Sequence, residues 1–152
     1  MTIEIRSADL LQLPQLAPLF DAYRQFYGQP SDLNLARDFL TERISHGQSQ
    51  IFVAYDGSDE ALGFVQLYPS FSSVSACPIW ILNDLYVVSA GRRQGVARAL
   101  MAAARDFAEQ HHGRSLVLST QVQNTQAQTL YESLGYERES GFYHYRLPLG
   151  EH

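Results

Sequence analysis

A strand that runs into a glycine-containing turn and then a helix is the feature of this sequence most able to do chemistry. Residues 85 to 88 are apolar and strand-like, and residues 92 to 97 have the pattern of a turn that opens a helix. The first N–H groups of a helix have no acceptor within it and lie at the positive end of its dipole. The junction therefore predicts an anion site, where Gly95 would let a pyrophosphate approach the backbone. Three arginines could add charge at its rim: Arg92, Arg93 and Arg98.

The junction matches neither of two common phosphate-binding loops. No Gly-Lys-Ser/Thr follows the turn, which excludes a Walker loop, and the glycine spacing is not that of a GxGxxG dinucleotide turn. Taken alone, the segment could also be an ordinary helix start.

The spacing of apolar residues predicts the elements that would hold this junction. Strands are expected at residues 3 to 6, 50 to 55, 61 to 68, 78 to 88 and 115 to 119, with helices from about 10 to 26, 33 to 45, 96 to 111 and 124 to 134. A terminal hairpin would join residues 136 to 139 with 142 to 147. The strand-helix-strand unit should be a right-handed crossover between parallel neighbours. The prediction is an α/β (α+β) fold, a mixed and mostly antiparallel twisted sheet flanked by helices.

Length and composition indicate one domain spanning residues 1 to 152. The 152 residues are 45% hydrophobic and 18% charged, which provides enough apolar side chains for one core. The formal charge of −5 argues against nucleic acid bound through a broad basic face and would suit a cationic substrate.

The sequence predicts neither an exported nor a metal-containing protein. Cys77 is the single cysteine, and no run of about 18 apolar residues could span a bilayer. The first residues alternate like a strand and lack a signal-peptide pattern. His111 and His112 lie near a helix end, where a favourable dipole interaction is a better interpretation than metal binding. We expect a cytoplasmic protein without a metal.

Two ordered motifs resemble the GNAT superfamily of N-acetyltransferases. Arg92-x-x-Gly95-x-Ala97 matches the superfamily's R/Q-x-x-G-x-G/A signature, and residues 124 to 136 resemble its N-x-x-A-x-x-L-Y-E-x-x-G-F segment. The second motif follows the first by about 30 residues, as it does in the family, and two ordered motifs are hard to obtain by chance. The resemblance covers nearly the whole chain and is strongest from Asn83 to Tyr136.

The resemblance implies acetyl-coenzyme A as co-substrate and suggests roles for single residues. Tyr131 would protonate the departing coenzyme A thiolate, and the Val87 N–H would bind the thioester oxygen where its strand splays from the parallel neighbour. Tyr131 could equally be a half-buried core aromatic, and Asn124 could simply cap its helix. The residues expected to bind the cofactor are Leu85, Tyr86, Val87, Arg92, Arg93, Gln94, Gly95, Val96, Ala97, Arg98, Asn124 and Tyr131.

The acceptor side departs from the family pattern. Polyamine acetyltransferases of the superfamily carry adjacent acidic residues where this chain has Asn83 and Asp84, which strand alternation sends to opposite faces. Asp84 could be the general base, bind substrate, act through water or form a structural pair. An aromatic and acidic pocket would suit an amine cation. Its candidates are Tyr23, Tyr27, Asp32, Gln66, Tyr68, Asn83 and Asp84.

We therefore predict direct attack of a neutral amine on acetyl-coenzyme A within a ternary complex. The amine would belong to a small amine or polyamine, an amino acid or a peptide. A non-catalytic acyl-coenzyme A-binding or regulatory module is the alternative, although binding alone would not require the Tyr131 phenol. The tyrosine-rich end, residues 142 to 145, would suit a homodimer. No nucleic-acid or membrane partner is expected.

Overall fold

The strands and helices follow the apolar pattern of the sequence. The computed structural model describes residues 2–150. The strands are β1 (Glu4–Ser7), β2 (Gln50–Tyr55), β3 (Ala61–Ser72), β4 (Cys77–Val87) and β5 (Leu116–Val117). The α-helices are α1 (Leu13–Phe26), α2 (Leu33–Ser45), α3 (Val96–Gln110) and α4 (Thr125–Ser133). Short 3-10 turns precede α1 and α3 at Leu10–Gln12 and Ser89–Gly91.

The chain divides into two compact units, one ending at Ser119 and the other beginning at Thr120. The first unit holds the sheet, whose strands lie in the order β1-β2-β3-β4-β5. Neighbours from β1 to β4 are antiparallel, and β5 lies parallel to β4. The predicted mixed, mostly antiparallel sheet with helices is thereby confirmed.

Apolar side chains of the helices fix them to the sheet. Leu16 and Phe20 of α1, Leu40 of α2 and Phe64 of β3 belong to one buried cluster. The α3 helix buries the side chains that its spacing predicted to be on one face: Val96, Leu100, Met101, Ala104 and Ala108. Burial of such side chains is the main favourable contribution to folding, so it is also what holds the residues of the functional site in place.

The structure differs from the sequence-based prediction at the chain end and in one loop. β3 runs on to Ser72, beyond the predicted end of that strand at residue 68. The predicted terminal hairpin is wrong, because within the described residues no strand follows Val117. Tyr143 and Tyr145 are 91% and 93% exposed, so little apolar packing supports a hairpin there, and an isolated two-stranded hairpin is marginal in water.

Candidate active site

A buried carboxylate, Asp84 of β4, lies at the centre of a group of polar side chains in the first unit. It is 5% exposed and accepts hydrogen bonds from Gln66 Nε2 on one oxygen, at 2.7 Å, and from Asn83 Nδ2 on the other, at 3.1 Å. The Tyr23 phenol lies close enough to this carboxylate that, besides burial, the charge of Asp84 raises its pKa. We call these residues and Tyr68 the Asp84 cluster.

No basic side chain within residues 2–150 forms an ion pair with Asp84. Buried charges in proteins are ordinarily paired or bind a metal, because an uncompensated charge is costly to remove from water. Neutral hydrogen-bond donors satisfy the oxygens of Asp84 without cancelling its charge. The Asp84 carboxylate is therefore left without a bonded cation, and a cationic ligand would balance its charge.

The tyrosines of the Asp84 cluster respond to this charge. Burial, followed by the charge of Asp84, raises the pKa of Tyr23 well above its ordinary value. The same two causes raise the pKa of Tyr68 to about 12. Both phenols consequently stay neutral through the physiological range and can donate hydrogen bonds, but neither is suited to act as a base.

An extra residue in β4 shapes the cluster. Gln66 of β3 lies opposite Asp84 and Leu67 lies opposite Leu82, so Asn83 is accommodated as a bulge. Asn83 is exposed and Asp84 buried, as alternation predicts, yet the Asn83 amide still reaches the Asp84 carboxylate. The bulge allows both residues to contribute to the same site.

Aromatic rings extend the cluster towards α1. The Tyr23 ring lies 5.1 Å from that of Tyr27 and 6.1 Å from that of Tyr86, measured between ring centroids. Tyr27 is half exposed and so lies at the outer side of Tyr23. Asp32 has a structural role instead, because its side chain accepts the Leu35 N–H and caps α2.

A second buried acid, Asp21 of α1, holds the loop between α1 and α2. Its carboxylate accepts the Asp32 N–H at 2.8 Å, the Ser31 hydroxyl at 2.7 Å and the Gln25 amide at 3.1 Å. These hydrogen bonds, the backbone one foremost, lower the pKa of Asp21 below its ordinary value. The chain after Tyr27 is fixed in this way.

Replacing Asp21 with asparagine should lower the melting temperature by a few degrees at pH 7 and have a smaller effect in acid. A carboxyl whose pKa is lowered by folding stabilises the protein above its unfolded pKa, about 4, and this contribution is lost as the pH falls through the folded pKa. Thermal melts from pH 2 to 7 would test this, with Asp38→Asn on the exposed side of α2 as control. Parallel pH curves for Asp21→Asn and the unaltered protein would contradict it.

The end of β4 presents a backbone donor on the side away from β3. The Val88 N–H bonds to the Leu62 carbonyl at 2.9 Å, so alternation directs the Val87 N–H to the opposite side of the strand. The β4–β5 pairing consists of Trp80 with Leu116 and Ile81 with Val117, and it ends well before Val87. This geometry fits the predicted splay.

Two glycines bring neighbouring chain segments against Val87. A Cβ atom on Gly63, which lies opposite Val87, would come 2.5 Å from the Tyr86 carbonyl oxygen and 3.2 Å from the Val87 Cα. A Cβ on Gly91 would meet a Val87 methyl group at 3.2 Å. Sequence reasoning missed both positions, although a glycine within an apolar strand is a known signal of close backbone approach.

The turn before α3 has the backbone shape of an anion site. Gly95 is the N-cap of α3, with a left-handed φ of 80°, and no side chain caps the helix start. Arg93 is also left-handed, with φ of 62°. Closely spaced left-handed residues turn successive N–H groups towards one concavity, and a helix N-terminus adds its dipole.

The predicted cofactor residues of this turn have different local contacts. The Arg92 Nε donates to the Val87 carbonyl at 3.1 Å and the Gln94 amide donates to the Ala90 carbonyl at 2.6 Å. Val96 is 1% exposed, so its side chain belongs to the core and only its backbone can face a ligand. Arg92 and Gln94 therefore shape the turn even without a bound anion.

The second unit contains the other predicted motif. Asn124 is the N-cap of α4, and its side chain accepts the Ala127 N–H at 3.2 Å. The chain leaves α4 at Gly135, whose φ of 94° bears out the expected left-handed stop. Tyr131 is partly buried on α4, with its ring centroid 6.0 Å from that of Tyr136.

The histidine and cysteine considered in the sequence analysis pack against neighbouring structure. His111 forms the C-cap of α3 and stacks on Phe107 with ring centroids 4.0 Å apart. Cys77 is a partly buried thiol at the start of β4. Within residues 2–150 no group of three metal-ligating side chains is present, and no helix is of the length and apolar character required to cross a membrane.

Comparison with known proteins identifies the family. Residues 47–138 match the acetyltransferase (GNAT) domain. An uncharacterized N-acetyltransferase of Bacillus subtilis, YhfO, is 46% identical over 145 residues, which are 95% of this chain and 97% of that protein. These similarities to acetyltransferases set aside the non-catalytic alternative.

Solved structures of acetyltransferases have the same fold. The crystal structure of a probable acetyltransferase has a TM-score of 0.92 and 43% identity, and the match covers 98% of this chain and 99% of that one. The aminoglycoside N-acetyltransferase AAC(6')-Iy in complex with CoA has a TM-score of 0.80 at 22% identity, covering 97% and 96% of the two chains. The latter similarity is one of fold.

Proposed function

The chain belongs to the GNAT family of N-acetyltransferases, and from that premise we propose that it transfers the acetyl group of acetyl-CoA to a primary amine of a small cationic molecule. The observation that carries the acceptor assignment is the burial of Asp84, 5% exposed and without a cationic partner in the described residues. A substrate ammonium would supply the missing positive charge.

Asp84 is the proposed general base. Its carboxylate takes one proton from the substrate ammonium, directly or through a water molecule, and leaves a neutral amine whose lone pair attacks the thioester carbonyl carbon. Tyr23 and Tyr68 remain protonated, since the pKa of each is raised, and they enclose the ammonium with aromatic surface. Cations are attracted to the faces of such rings.

The Val87 N–H is the proposed donor to the thioester oxygen. As the C–N bond forms, negative charge develops on that oxygen, and a fixed backbone N–H stabilises it without reorganisation. The contacts of Gly63, Gly91 and Arg92 hold the peptide in place. When the carbon–sulfur bond breaks, the departing thiolate takes a proton, which we assign to the Tyr131 phenol from the family motif. The attacking nitrogen is positively charged once the C–N bond has formed, and it loses a second proton as the neutral amide forms. Passed through water, this proton restores the Tyr131 phenol.

Acetyl-CoA fits the turn before α3 as co-substrate. Its pyrophosphate would accept hydrogen bonds from the backbone N–H groups of residues 93 to 98. An enzyme of the same fold was solved in complex with CoA. Arg93 and Arg98 would add positive charge near the pyrophosphate. The backbone of Leu85 and Val87 would form hydrogen bonds with the pantetheine arm, in the way that a strand bonds to an added neighbouring strand. Asn124 is proposed to contact the cofactor in addition to capping α4.

Replacing Gly95 with alanine should weaken CoA binding by about tenfold. A left-handed backbone costs a residue with a Cβ about 1 to 2 kcal/mol, although the space around this Cβ is open, so the cost falls on the shape of the turn. Calorimetric titration with CoA measures the effect. Gly57→Ala is the matched control, because Gly57 has open space and no left-handed φ. Equal affinities for both variants would exclude this turn as the pyrophosphate site.

Assembly and location remain predictions. The exposed apolar side chains at the chain end, among them Phe142, Tyr143 and Tyr145, support a homodimer, since single-chain proteins rarely expose such patches. Light scattering would decide it. A cytoplasmic location remains the expectation from the sequence.

The defining test of the function is thiol release from acetyl-CoA with a panel of acceptors. The panel contains aminoglycosides, polyamines, amino acids and basic peptides, and calorimetry measures CoA binding in parallel. We expect turnover with one or more of the small polycationic amines. Turnover confined to peptides would contradict the acceptor class, and CoA binding without any turnover would contradict the proposed reaction.

A further inference from the structure

The side-chain amide of Gln66 forms a hydrogen bond through its nitrogen but none through its oxygen. It is 0% exposed on β3, directly opposite Asp84. Its Nε2 donates to Asp84 at 2.7 Å, while its buried Oε1 has no hydrogen-bond partner within residues 2–150. Buried polar atoms are nearly always satisfied, so this one needs an explanation.

The orientation of the amide is determined by its neighbour. If the group were rotated by 180°, its oxygen would face the Asp84 carboxylate and two acceptors would repel each other. The nitrogen must therefore face Asp84, and the oxygen remains an acceptor alongside it. A carboxylate and an amide oxygen side by side form a pair of acceptors for one donor group.

We propose that Gln66 is a specificity-determining residue, whose Oε1 accepts a second N–H of the acceptor amine and so selects primary over secondary amines. This inference rests on the proposed acetyl transfer and assigns Gln66 a substrate contact within it. An ammonium of a primary amine has three N–H groups. One proton leaves to Asp84, a second leaves as the amide forms, and Gln66 holds the third N–H throughout.

The hydrogen bond to Gln66 also orients the attacking lone pair. After deprotonation the lone pair lies where the lost proton was, facing Asp84, and an N–H anchored on Gln66 restricts the ways in which the amine can turn this lone pair towards the thioester. Orientation of this kind accounts for a large part of enzymatic rate enhancement. An N-methylated ammonium has only two N–H groups, and both protons are lost on the way to the amide, so no N–H can stay on Gln66 throughout the reaction.

A purely structural role of Gln66 predicts a different result. If Gln66 only held Asp84 in place, its loss would slow all amines by the same factor. If it contacts substrate, its loss changes the ratio of rates between a primary amine and its N-methyl derivative. The ratio of the two kcat/KM values is therefore the informative measurement.

The experiment compares the best primary amine of the acceptor panel with its N-monomethyl derivative. We expect the unaltered enzyme to prefer the primary amine by about 10²-fold or more in kcat/KM, because a site built to bond an N–H rejects analogues lacking it. Gln66→Met keeps the length of the side chain but has no amide, and it should reduce this preference by about tenfold or more. Gln50→Met on β2 is the matched control and should leave the preference unchanged, since the Gln50 amide bonds to Ser7.

Two results would overturn the inference. One is an unaltered enzyme that acetylates both amines at similar rates, and this arm does not depend on any variant folding. The other is a folded Gln66→Met protein with an unchanged preference. In both cases acetyl transfer itself would stand, whereas lack of turnover with every amine would overturn the proposed function and this inference together.

Discussion

Asp84→Asn is expected to lower kcat/KM by about 10²- to 10⁴-fold at neutral pH, the range for loss of a general base. The oxygen of the asparagine can still accept from Gln66, while its NH2 group faces the amide of Asn83, which is exposed and can turn to offer its oxygen instead. The substituted side chain cannot take a proton or balance an ammonium charge, so both chemistry and acceptor binding are weakened. The loss should be visible as a lower kcat and a higher KM for the amine, with CoA affinity unchanged.

The pH profile separates the base role from simple binding. With Asp84 present, activity can extend to a pH at which the substrate is fully protonated in solution. In Asp84→Asn, the rate should instead rise with the fraction of amine that is already neutral, up to the pKa of the amine. Asp38→Asn, on the exposed side of α2, controls for a change of charge alone. A variant within threefold of the unaltered enzyme at neutral pH would exclude Asp84 as base.

Local sequence patterns predicted the backbone structure of the segments to which we assign cofactor binding. The strand-turn-helix junction depends on residues close together in sequence, and the left-handed φ of Gly95 follows from a turn that needs it. The Asn124 cap and the Gly135 stop are likewise short-range features. The same kind of signal supports the family motifs, which is why the sequence predicted the local structure of these segments in detail.

The acceptor side depends on contacts between distant residues. Tyr23, Gln66 and Asp84 were each candidates by chemistry, but only the pairing of β3 with β4 and the packing of α1 bring them together. The bulge at Asn83 is a property of strand register, which no short pattern in the sequence specifies. The orphaned Gln66 oxygen could not be foreseen for the same reason.

Sequence patterns also failed to predict the close backbone contacts in the sheet and the structure of the chain end. The approach of Gly63 to Val87 exists only in the folded sheet. At the chain end, strand-forming residues suggested a hairpin, but the structure exposes their side chains. Alternation indicates a strand only where one face becomes buried, and residues 142 to 149 show the limit of that rule.

Tyr131→Phe is the second substitution from which we expect a large effect, a fall in kcat of about 10²-fold. The change removes only the phenol oxygen. The aromatic ring on α4 stays and keeps its contact with Tyr136, so the fold and the affinity for CoA should persist. Without the phenol the thiolate must leave unprotonated or take its proton from water. The expected defect therefore lies in kcat, with the KM of the amine little changed.

The nature of that defect distinguishes proton donation from cofactor binding. If Tyr131 only contacts CoA, the phenylalanine variant will bind CoA more weakly and regain the full kcat at saturating acetyl-CoA. If it donates the proton, saturation will not restore kcat, and the defect will shrink as the pH falls, because solvent acid can then protonate the thiolate. Tyr143→Phe in the exposed chain end, 91% exposed, should match the unaltered enzyme in both measurements. An unchanged kcat for Tyr131→Phe would assign protonation of the leaving group to water and leave Asp84 and the Val87 N–H as the chemical groups of the site.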